Sequence, residues 1–216
     1  MSRKPSKQDL LRWLPASMVW VNGPRAEGLN YLSFDDGPHP EHTPRVLDLL
    51  AEFGIKASFF VIGREAERWP ELVKRIAAEG HALGNHSWSH PRFGELTVDA
   101  QVAEIDHCDA VLEAFDGQRR HPFRPPRGEL SPGLLWRLWR RGQRVIYWTR
   151  DSLDYQSRPP AELAAGLHEP PVTAGDIVLM HDDADCARVM LTQLLPYWRD
   201  LGLRFAPLPP LTEEAR

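Results

Sequence analysis

The chain has 216 residues and a formal net charge of -4, so it can bury one sizeable core and gives no reason to expect a nucleic-acid partner held by charge. Its two cysteines, Cys108 and Cys186, have neither metal-ligand nor disulfide spacing, which argues against a cysteine metal site and a disulfide framework.

Residues 1–28 form a predicted N-terminal extension that packs on the domain. The segment "MSRKPSKQDLLRWLPASMVWVNG" is basic, and its apolar stretch is interrupted by Arg12 and Pro15. Such a stretch is too short to span a bilayer, and no small-residue cleavage site follows it. We therefore expect a cytoplasmic protein without a transmembrane segment; a weak interfacial anchor is the alternative.

From residue 29 onward, short apolar runs alternate with segments of helical periodicity. The helical segment "PRVLDLLAEFG", for example, places Val46, Leu47 and Leu50 on one side and ends at Gly54. Repeated alternation of strand and helix predicts a parallel sheet, and nearly continuous apolar runs predict strands covered on both faces. The predicted strands are 29–34, 57–62, 81–86, 121–125, 144–149, 176–181 and 203–208.

The predicted fold class is α/β, with about seven parallel strands. A closed β/α barrel is favoured over an open doubly wound sheet, because no glycine-rich phosphate-binding turn follows the first strand. The longest predicted helix follows Thr97, which we expect to be its N-cap. The C-terminal segment "PLPPLTEEAR" is predicted to be a frayed tail.

Unusual polar residues follow one predicted strand after another. Asp35 and Asp36 end the first strand, and His86 and His90 follow the third. In parallel β/α folds, catalytic groups gather at the carboxyl ends of the strands. The repetition argues against coincidence and predicts a catalytic site at that end. The remaining residues at these positions are Arg124, Asp151, Asp154 and His181.

A metal site is predicted from the histidine pair. His86 and His90 are four residues apart, a spacing that lets two imidazoles reach one cation. Adding Asp36 gives three protein ligands with an open position, which is typical of catalytic zinc. A dication there would also offset the repulsion between Asp35 and Asp36. We therefore expect one divalent ion, with zinc favoured over cobalt and nickel.

The other polar residues suggest acid–base roles. Asp35 is a candidate base for a metal-activated water, and Arg124 is predicted to hold Asp35 through a forked contact. This partner would also weaken Asp35 as a base. His181 is a candidate general acid. Asp151 is predicted to orient His181, and Asp154 is left open as the alternative.

Five motifs resemble those of the polysaccharide deacetylase family, also called the NodB homology domain or carbohydrate esterase family 4. "SFDDGP", "HSWSH", "FRPPRG", "DSLDY" and "LMHD" follow one another in the family's order and spacing. The resemblance covers residues 29–208, with 209–216 as a tail. It implies a distorted (β/α) barrel and a metal-dependent hydrolase, usually a zinc enzyme, that removes acetyl groups from N-acetylated sugars.

The resemblance also implies a role for each matching residue. It implies an oxyanion-binding backbone N–H at Arg127. For the remaining positions it implies Asp35 as base, Asp36, His86 and His90 as metal ligands, Arg124 as the residue that orients the base, and His181 as acid.

Two positions depart from the family pattern, and both are candidate substrate-binding residues. Arg127 replaces the usual aromatic residue, and Tyr155 replaces the usual tryptophan. Arg127 suggests a substrate with a phosphate or uronate near the acetamido sugar; a solvated arginine that points away is the alternative. Trp88, between the two histidines, is predicted either to stack on a sugar or to pack under the metal loop.

The favoured function is removal of N-acetyl groups from an acetylated amino sugar in an oligo- or polysaccharide. The alternative within this chemistry is a deacylase or deformylase of a lipid-linked or anionic sugar precursor. Two other classes remain open. A non-haem iron oxygenase also uses two histidines and one carboxylate, and a catalytically silent carbohydrate-binding module could share the fold.

Overall fold

The computed structural model describes residues 7–211, apart from the side chain of Ala26. The predictions for residues 1–6 and 212–216 lie outside this range. The helices are α1 Lys7–Leu11, α2 His42–Glu52, α3 Gly63–Arg68, α4 Pro70–Ala78, α5 Val98–Asp116, α6 Pro132–Arg140, α7 Pro160–Gly166 and α8 Cys186–Asp200. The strands are β1 Val19–Trp20, β2 Leu29–Asp35, β3 Ser58–Val61, β4 Ala82–Asn85, β5 Val145–Ile146, β6 Arg150–Asp151, β7 Ile177–His181 and β8 Arg204–Phe205.

The central sheet is parallel, in the order β4-β3-β2-β7-β6. Strand β2 lies between β3 and β7, and six of its seven residues are buried. Its last residue, Asp35, lies opposite Phe60 on β3 and opposite His181 on β7. This register brings Asp35 and His181 to the same carboxyl edge of the sheet.

Beyond β4, further parallel bridges extend the sheet through Phe123 to β5 and β1. Phe123 bridges Asn85 at the end of β4 to Val145 on β5. The chain then runs from β5 to β6, which pairs with β7, while β1 pairs with β5. The α/β fold of parallel strands expected from the sequence is thus confirmed, and within residues 7–211 the ladder is open between β5 and β6. The predicted strand 121–125 contributes only Phe123, because the flanking Pro122 and Pro125 have no N–H to donate to a ladder.

The long predicted helices are present, and the short elements were missed. Thr97 is the N-cap of α5, and its hydroxyl accepts a hydrogen bond from the Ala100 N–H at 3.3 Å. Helices α1, α3 and α7 have only five to seven residues each. Elements this short show too few apolar repeats to be recognised by periodicity, and the same holds for the two-residue strands β1 and β6.

The N-terminal segment contacts the barrel through Leu11. Leu11 is buried in the same apolar cluster as Leu134 and Leu138 of α6. The domain boundaries and the cytoplasmic location remain predictions. None of the helices within residues 7–211 is long and apolar enough to cross a membrane.

A buried polar network ties α5 to β4. The His121 ring lies between Asp109 Oδ1 at 3.0 Å and Asp116 Oδ1 at 3.1 Å. Burial lowers the pKa of His121, but these two carboxylates raise it to about 9, so the ring is an imidazolium at neutral pH. Asn85 Nδ2 donates to Asp109 Oδ1 at 2.8 Å. The residue that precedes His86 is therefore fixed to a helix on the outside of the barrel.

Candidate active site

Asp36, His86 and His90 converge at the carboxyl edge of the sheet. Asp36 Oδ1 lies 3.3 Å from His86 Nε2 and 3.3 Å from His90 Nε2. One ligand atom from each of the three residues lies within 4.8 Å of the other two. Asp36 Oδ1 is buried and receives no well-aligned hydrogen bond from the described residues. A buried, unsatisfied carboxylate oxygen between two imidazole nitrogens fits a divalent cation.

A backbone carbonyl orients the His86 ring so that its Nε2 faces Asp36. His86 Nδ1 lies 2.8 Å from the Arg124 carbonyl oxygen, and because a carbonyl only accepts, Nδ1 must be the donor. Burial and the charge of His86 lower the pKa of His90. Burial would raise the pKa of Asp36, but His86 and His90 lower it overall. Burial would lower the pKa of His86, but Asp35 and Asp36 raise it overall, so that ring would lose a proton when a cation binds. The site thus offers an ionised Asp36 carboxylate and a His90 imidazole whose protonation is disfavoured.

The backbone of the site is held in a sparsely populated conformation. Asp36, Ser87, His90 and Arg127 have φ values of 73°, 66°, 55° and 55°. For residues other than glycine this left-handed region costs about 1–3 kcal/mol each. Local hydrogen bonds hold the loop between the histidines: Asn85 Oδ1 accepts from the Ser87 N–H at 2.8 Å, and Ser87 Oγ accepts from the His90 N–H at 3.0 Å.

Asp35 forms a buried ion pair with Arg124. Arg124 Nη1 donates to Asp35 Oδ1 at 2.6 Å, and Arg124 is fully buried over the ring of Phe60 at 3.9 Å from its centroid. The predicted fork is not formed. Instead, Nη1 also donates to Ser33 Oγ at 2.9 Å, and Nη2 donates to the Tyr147 carbonyl oxygen at 3.3 Å. Those contacts turn the second guanidinium nitrogen away from Asp35.

His181 is oriented by Asp154 rather than Asp151. His181 Nδ1 lies 2.7 Å from Asp154 Oδ1, and the His181 N–H donates to Asp154 Oδ2 at 2.8 Å. Burial lowers the pKa of His181, but Asp154 raises it to about 9. Asp151 accepts instead from the Leu153 N–H at 3.0 Å and the Tyr155 hydroxyl at 3.3 Å. The orienting role proposed for Asp151 is therefore wrong in this geometry.

An open cavity of about 420 Å³ joins these groups. Arg124 lies behind it, buried against Asp35. Trp148, Leu179 and Asp183 also line the cavity and were not predicted to do so. Leu179 begins the LMHD motif, but an apolar residue there gives no functional signal, and Trp148 and Asp183 lie outside the five motifs. The cavity is lined by Asp35, Asp36, His86, His90, Pro125, Arg127, Gly128, Trp148, Asp151, Tyr155, Leu179, His181 and Asp183.

Trp88 does not line this cavity, so its proposed contact with a sugar is not supported. Its indole stacks on His107 of α5 with ring centroids 4.6 Å apart and an interplanar angle of 10°. Its Nε1 donates to Glu67 Oε2 at 3.2 Å. Trp88 therefore packs beneath the loop that carries the histidines, which was the other prediction.

The glycine after the two acids allows a close approach. Asp182 is buried and accepts a hydrogen bond from the Thr43 hydroxyl. A Cβ atom at Gly37 would overlap the Asp182 carboxylate. Burial raises the pKa of Asp182 to about 7. A glycine is thus required where the turn after Asp36 passes this side chain.

Comparison with known proteins gives one consistent result. Residues 22–146 match the family model described as polysaccharide deacetylase. A chitooligosaccharide deacetylase from Sinorhizobium fredii is 35% identical over 93% of this chain and 97% of its own length. A peptidoglycan-N-acetylglucosamine deacetylase from Bacillus cereus is 30% identical over 94% of this chain and 77% of its own length.

The fold has a close match among solved structures. The crystal structure of the Bc1960 peptidoglycan N-acetylglucosamine deacetylase, in complex with an N-hydroxybenzamide, superposes with a TM-score of 0.84 and 30% sequence identity. The match covers 89% of this chain and 91% of that chain. The similarity therefore extends over both halves of the barrel.

Replacing Asp36 by alanine should remove zinc binding. The substitution deletes the oxygen that lies 3.3 Å from both imidazoles, and we expect the affinity to fall at least about 100-fold, as for loss of one protein ligand in three. Competition with a chromophoric chelator measures it. The matched control is His168→Ala, a histidine packed on Tyr197 outside the site. Retained affinity in Asp36→Ala would contradict the ligand assignment.

Replacing Asp154 by asparagine should lower the pKa of His181 from about 9 toward the ordinary value near 6.5. The carboxylate stabilises the imidazolium, so its removal lets the proton leave at lower pH. NMR titration of the ring nitrogens in metal-free protein measures the shift. Asp151→Asn is the control and should move the pKa less. A larger fall of the His181 pKa in Asp151→Asn than in Asp154→Asn would show that Asp151 is the orienting residue.

Proposed function

The chain belongs to the polysaccharide deacetylase family, and we propose that it is a metal-dependent hydrolase that removes N-acetyl groups from an amino sugar in an oligo- or polysaccharide. One observation carries the proposal. The Asp36, His86 and His90 donors face the same cavity as a base paired with arginine and an acid paired with aspartate. The names of the relatives agree with an acetylated glycan as substrate.

We propose zinc as the ion held by Asp36, His86 and His90. Bound there, it would make a water molecule more acidic and polarise the amide carbonyl. Two imidazoles and one carboxylate with a remaining open position are typical of catalytic zinc. Cobalt and nickel remain alternatives, because the same donors also bind them.

Asp35 is the proposed base. Its carboxylate faces the cavity, and Arg124 Nη1 holds its Oδ1 at 2.6 Å. Asp35 is therefore already in a fixed position before a substrate binds. It accepts a proton from water as the water oxygen bonds to the acetyl carbon. Arg124 is then a positioning residue, because it is fully buried and reaches the reaction only through Asp35.

The Arg127 N–H is the proposed donor to the developing oxyanion. It makes no hydrogen bond with another described residue, and the turn that carries it lines the cavity. The Gly128 carbonyl oxygen fixes the same turn by accepting from the Tyr147 hydroxyl at 2.7 Å and from Lys7 Nζ at 2.6 Å. A rigid N–H aimed at the carbonyl oxygen stabilises the charge that forms there.

His181 is the proposed general acid. Its pKa of about 9 keeps the ring protonated at neutral pH. It donates this proton to the sugar nitrogen as the carbon–nitrogen bond breaks, which leaves acetate and a free amine. Asp154 fixes the ring through Nδ1 and so leaves Nε2 to face the cavity.

We propose that the Arg127 side chain and Tyr155 contact the substrate. Both line the cavity, and both are exposed there. The Arg127 guanidinium has no hydrogen bond or ion pair with any residue from 7 to 211. A free cation beside the oxyanion position favours an acetamido sugar with a nearby carboxylate or phosphate. This observation favours the alternative of an anionic sugar precursor over a neutral one.

Two other functional classes account for fewer of these residues. A non-haem iron oxygenase would use the two histidines and Asp36 but gives no role to Arg124 or to the Asp154–His181 pair. A catalytically silent carbohydrate-binding module would be expected to have lost a charged or metal-binding residue of the motifs. All five motifs of this chain retain those residues.

Zinc-loaded protein should release acetate from chitotetraose, and Asp35→Asn should lower kcat by about 10²–10⁴-fold because the base is lost while the substrate still binds. Enzyme-coupled detection of acetate measures both rates. His168→Ala serves as the unaffected control. No acetate from any acetylated or anionic glycan with the unaltered chain would reject the hydrolase proposal. Release of formate from N-formyl analogues alone would reject the acetyl specificity.

Arg127→Tyr should reduce kcat/KM on a carboxylated acetamido oligosaccharide by about 10-fold or more, the worth of one charge-assisted hydrogen bond. On the neutral oligosaccharide of the same length the rate should change little, since the backbone N–H is retained. Tyr155→Phe, which removes only the hydroxyl of the other exposed lining residue, is the matched variant. Equal losses on both substrates would show that Arg127 does not recognise charge.

A further inference from the structure

A second, larger cavity lies away from the active site. It has a volume of about 660 Å³ and shares no lining residue with the catalytic cavity. Two tryptophans and three arginines form most of its wall. We call it the tryptophan–arginine cavity, and its lining residues are Ser17, Arg120, Trp136, Trp139, Arg140, Arg141 and Gly142.

This cavity is at the opposite end of the barrel from the catalytic residues. Ser17 precedes β1 and Gly142 precedes β5, and these two strands are parallel. The cavity therefore lies beside the amino ends of the strands, whereas Asp35 and His181 end theirs. A group bound in this cavity is too far from the metal site to react there, so the cavity would serve binding and not catalysis.

The aromatic wall is exposed apolar surface on a well-anchored helix. Trp136 and Trp139 of α6 are 52% and 38% exposed, with ring centroids 5.0 Å apart and an interplanar angle of 43°. On the other side of α6, Leu134 and Leu138 are fully buried. Exposed apolar surface in a concavity is a feature of ligand sites, and these two indoles supply it here.

The cationic part of the wall is partly fixed and partly unpaired. Arg120 Nη1 donates to the Arg141 carbonyl oxygen at 2.6 Å, and Arg141 Nη1 pairs with Asp106 at 2.5 Å. Neither Arg120 nor Arg140 forms an ion pair with any residue of the described range. Two guanidinium groups without a counterion favour an anionic ligand.

We propose that the tryptophan–arginine cavity binds a carboxylated stretch of glycan. A sugar ring presents apolar C–H groups to an indole, and a carboxylate on the same or the next ring can meet the Arg120 and Arg140 guanidiniums. Tilted rings inside a concavity suit a narrow polymer better than a flat bilayer. Two free cations in a chain with a net charge of -4 are too few for a nucleic-acid backbone.

The tryptophan–arginine cavity would bind the same polymer that the catalytic cavity deacetylates. The choice of a glycan as its ligand therefore rests on the proposed function. A long or cross-linked glycan can occupy both ends of the barrel at once. The second contact then becomes intramolecular and increases the overall affinity without any change at the catalytic cavity. Short oligosaccharides cannot reach both sites and gain nothing.

The test is retention of the metal-free full chain in native gels that contain carboxymethyl chitin, with neutral glycol chitin for comparison. Because retention needs no hydrolysis, its result stands whether or not acetate is released. We expect stronger retention by the carboxylated polymer. Trp136→Ala/Trp139→Ala and, separately, Arg140→Glu should raise the dissociation constant at least about tenfold, as for loss of central aromatic or arginine contacts.

The control variant is Trp13→Ala, which removes a tryptophan that is 88% exposed but does not line the cavity. Its retention should equal that of the unaltered chain. Thermal unfolding shows whether each variant is folded, and Arg140→Glu alters no core residue. Unchanged retention in both cavity variants overturns the proposal. Equal loss in Trp13→Ala, or stronger binding to phosphatidylglycerol vesicles than to either polymer, also overturns it.

Discussion

Two adjacent carboxylates at the end of β2 face two different partners, a guanidinium and a pair of imidazoles, and the rest of the site depends on this division. Asp35 keeps the strand direction and meets the buried Arg124 at 2.6 Å. Asp36, with a φ of 73°, leaves the strand and turns toward two imidazole nitrogens at 3.3 Å. Neighbouring residues of a strand already point to opposite sides. The turn thus separates the proposed base from the proposed metal ligand.

The parallel register then places the proposed acid opposite the proposed base. Because β2 pairs with β7, Asp35 and His181 are neighbours across the sheet. Each group is paired with a buried side chain: Arg124 contacts Asp35, and Asp154 contacts His181. The family membership and the site geometry thus agree on hydrolysis of an amide.

Much of this site could be predicted from the sequence because its residues are at strand ends, where position alone determines which side chains meet. Asp154 and Trp88 could not be assigned in this way. The choice between Asp151 and Asp154 depends on a turn in which Leu153 has a φ of 58°, and Trp88 is held by His107 on a distant helix. Neither contact leaves a periodic signal, since both arise from tertiary packing.

Anomalous diffraction from crystals of the zinc-loaded protein tests the central claim most directly. The account predicts one zinc peak per chain, bonded to an Asp36 carboxylate oxygen and to Nε2 of His86 and His90, with Asp35 still paired to Arg124. A peak at another place, or coordination by Asp35 with loss of its arginine contact, would contradict the division of roles between the two carboxylates.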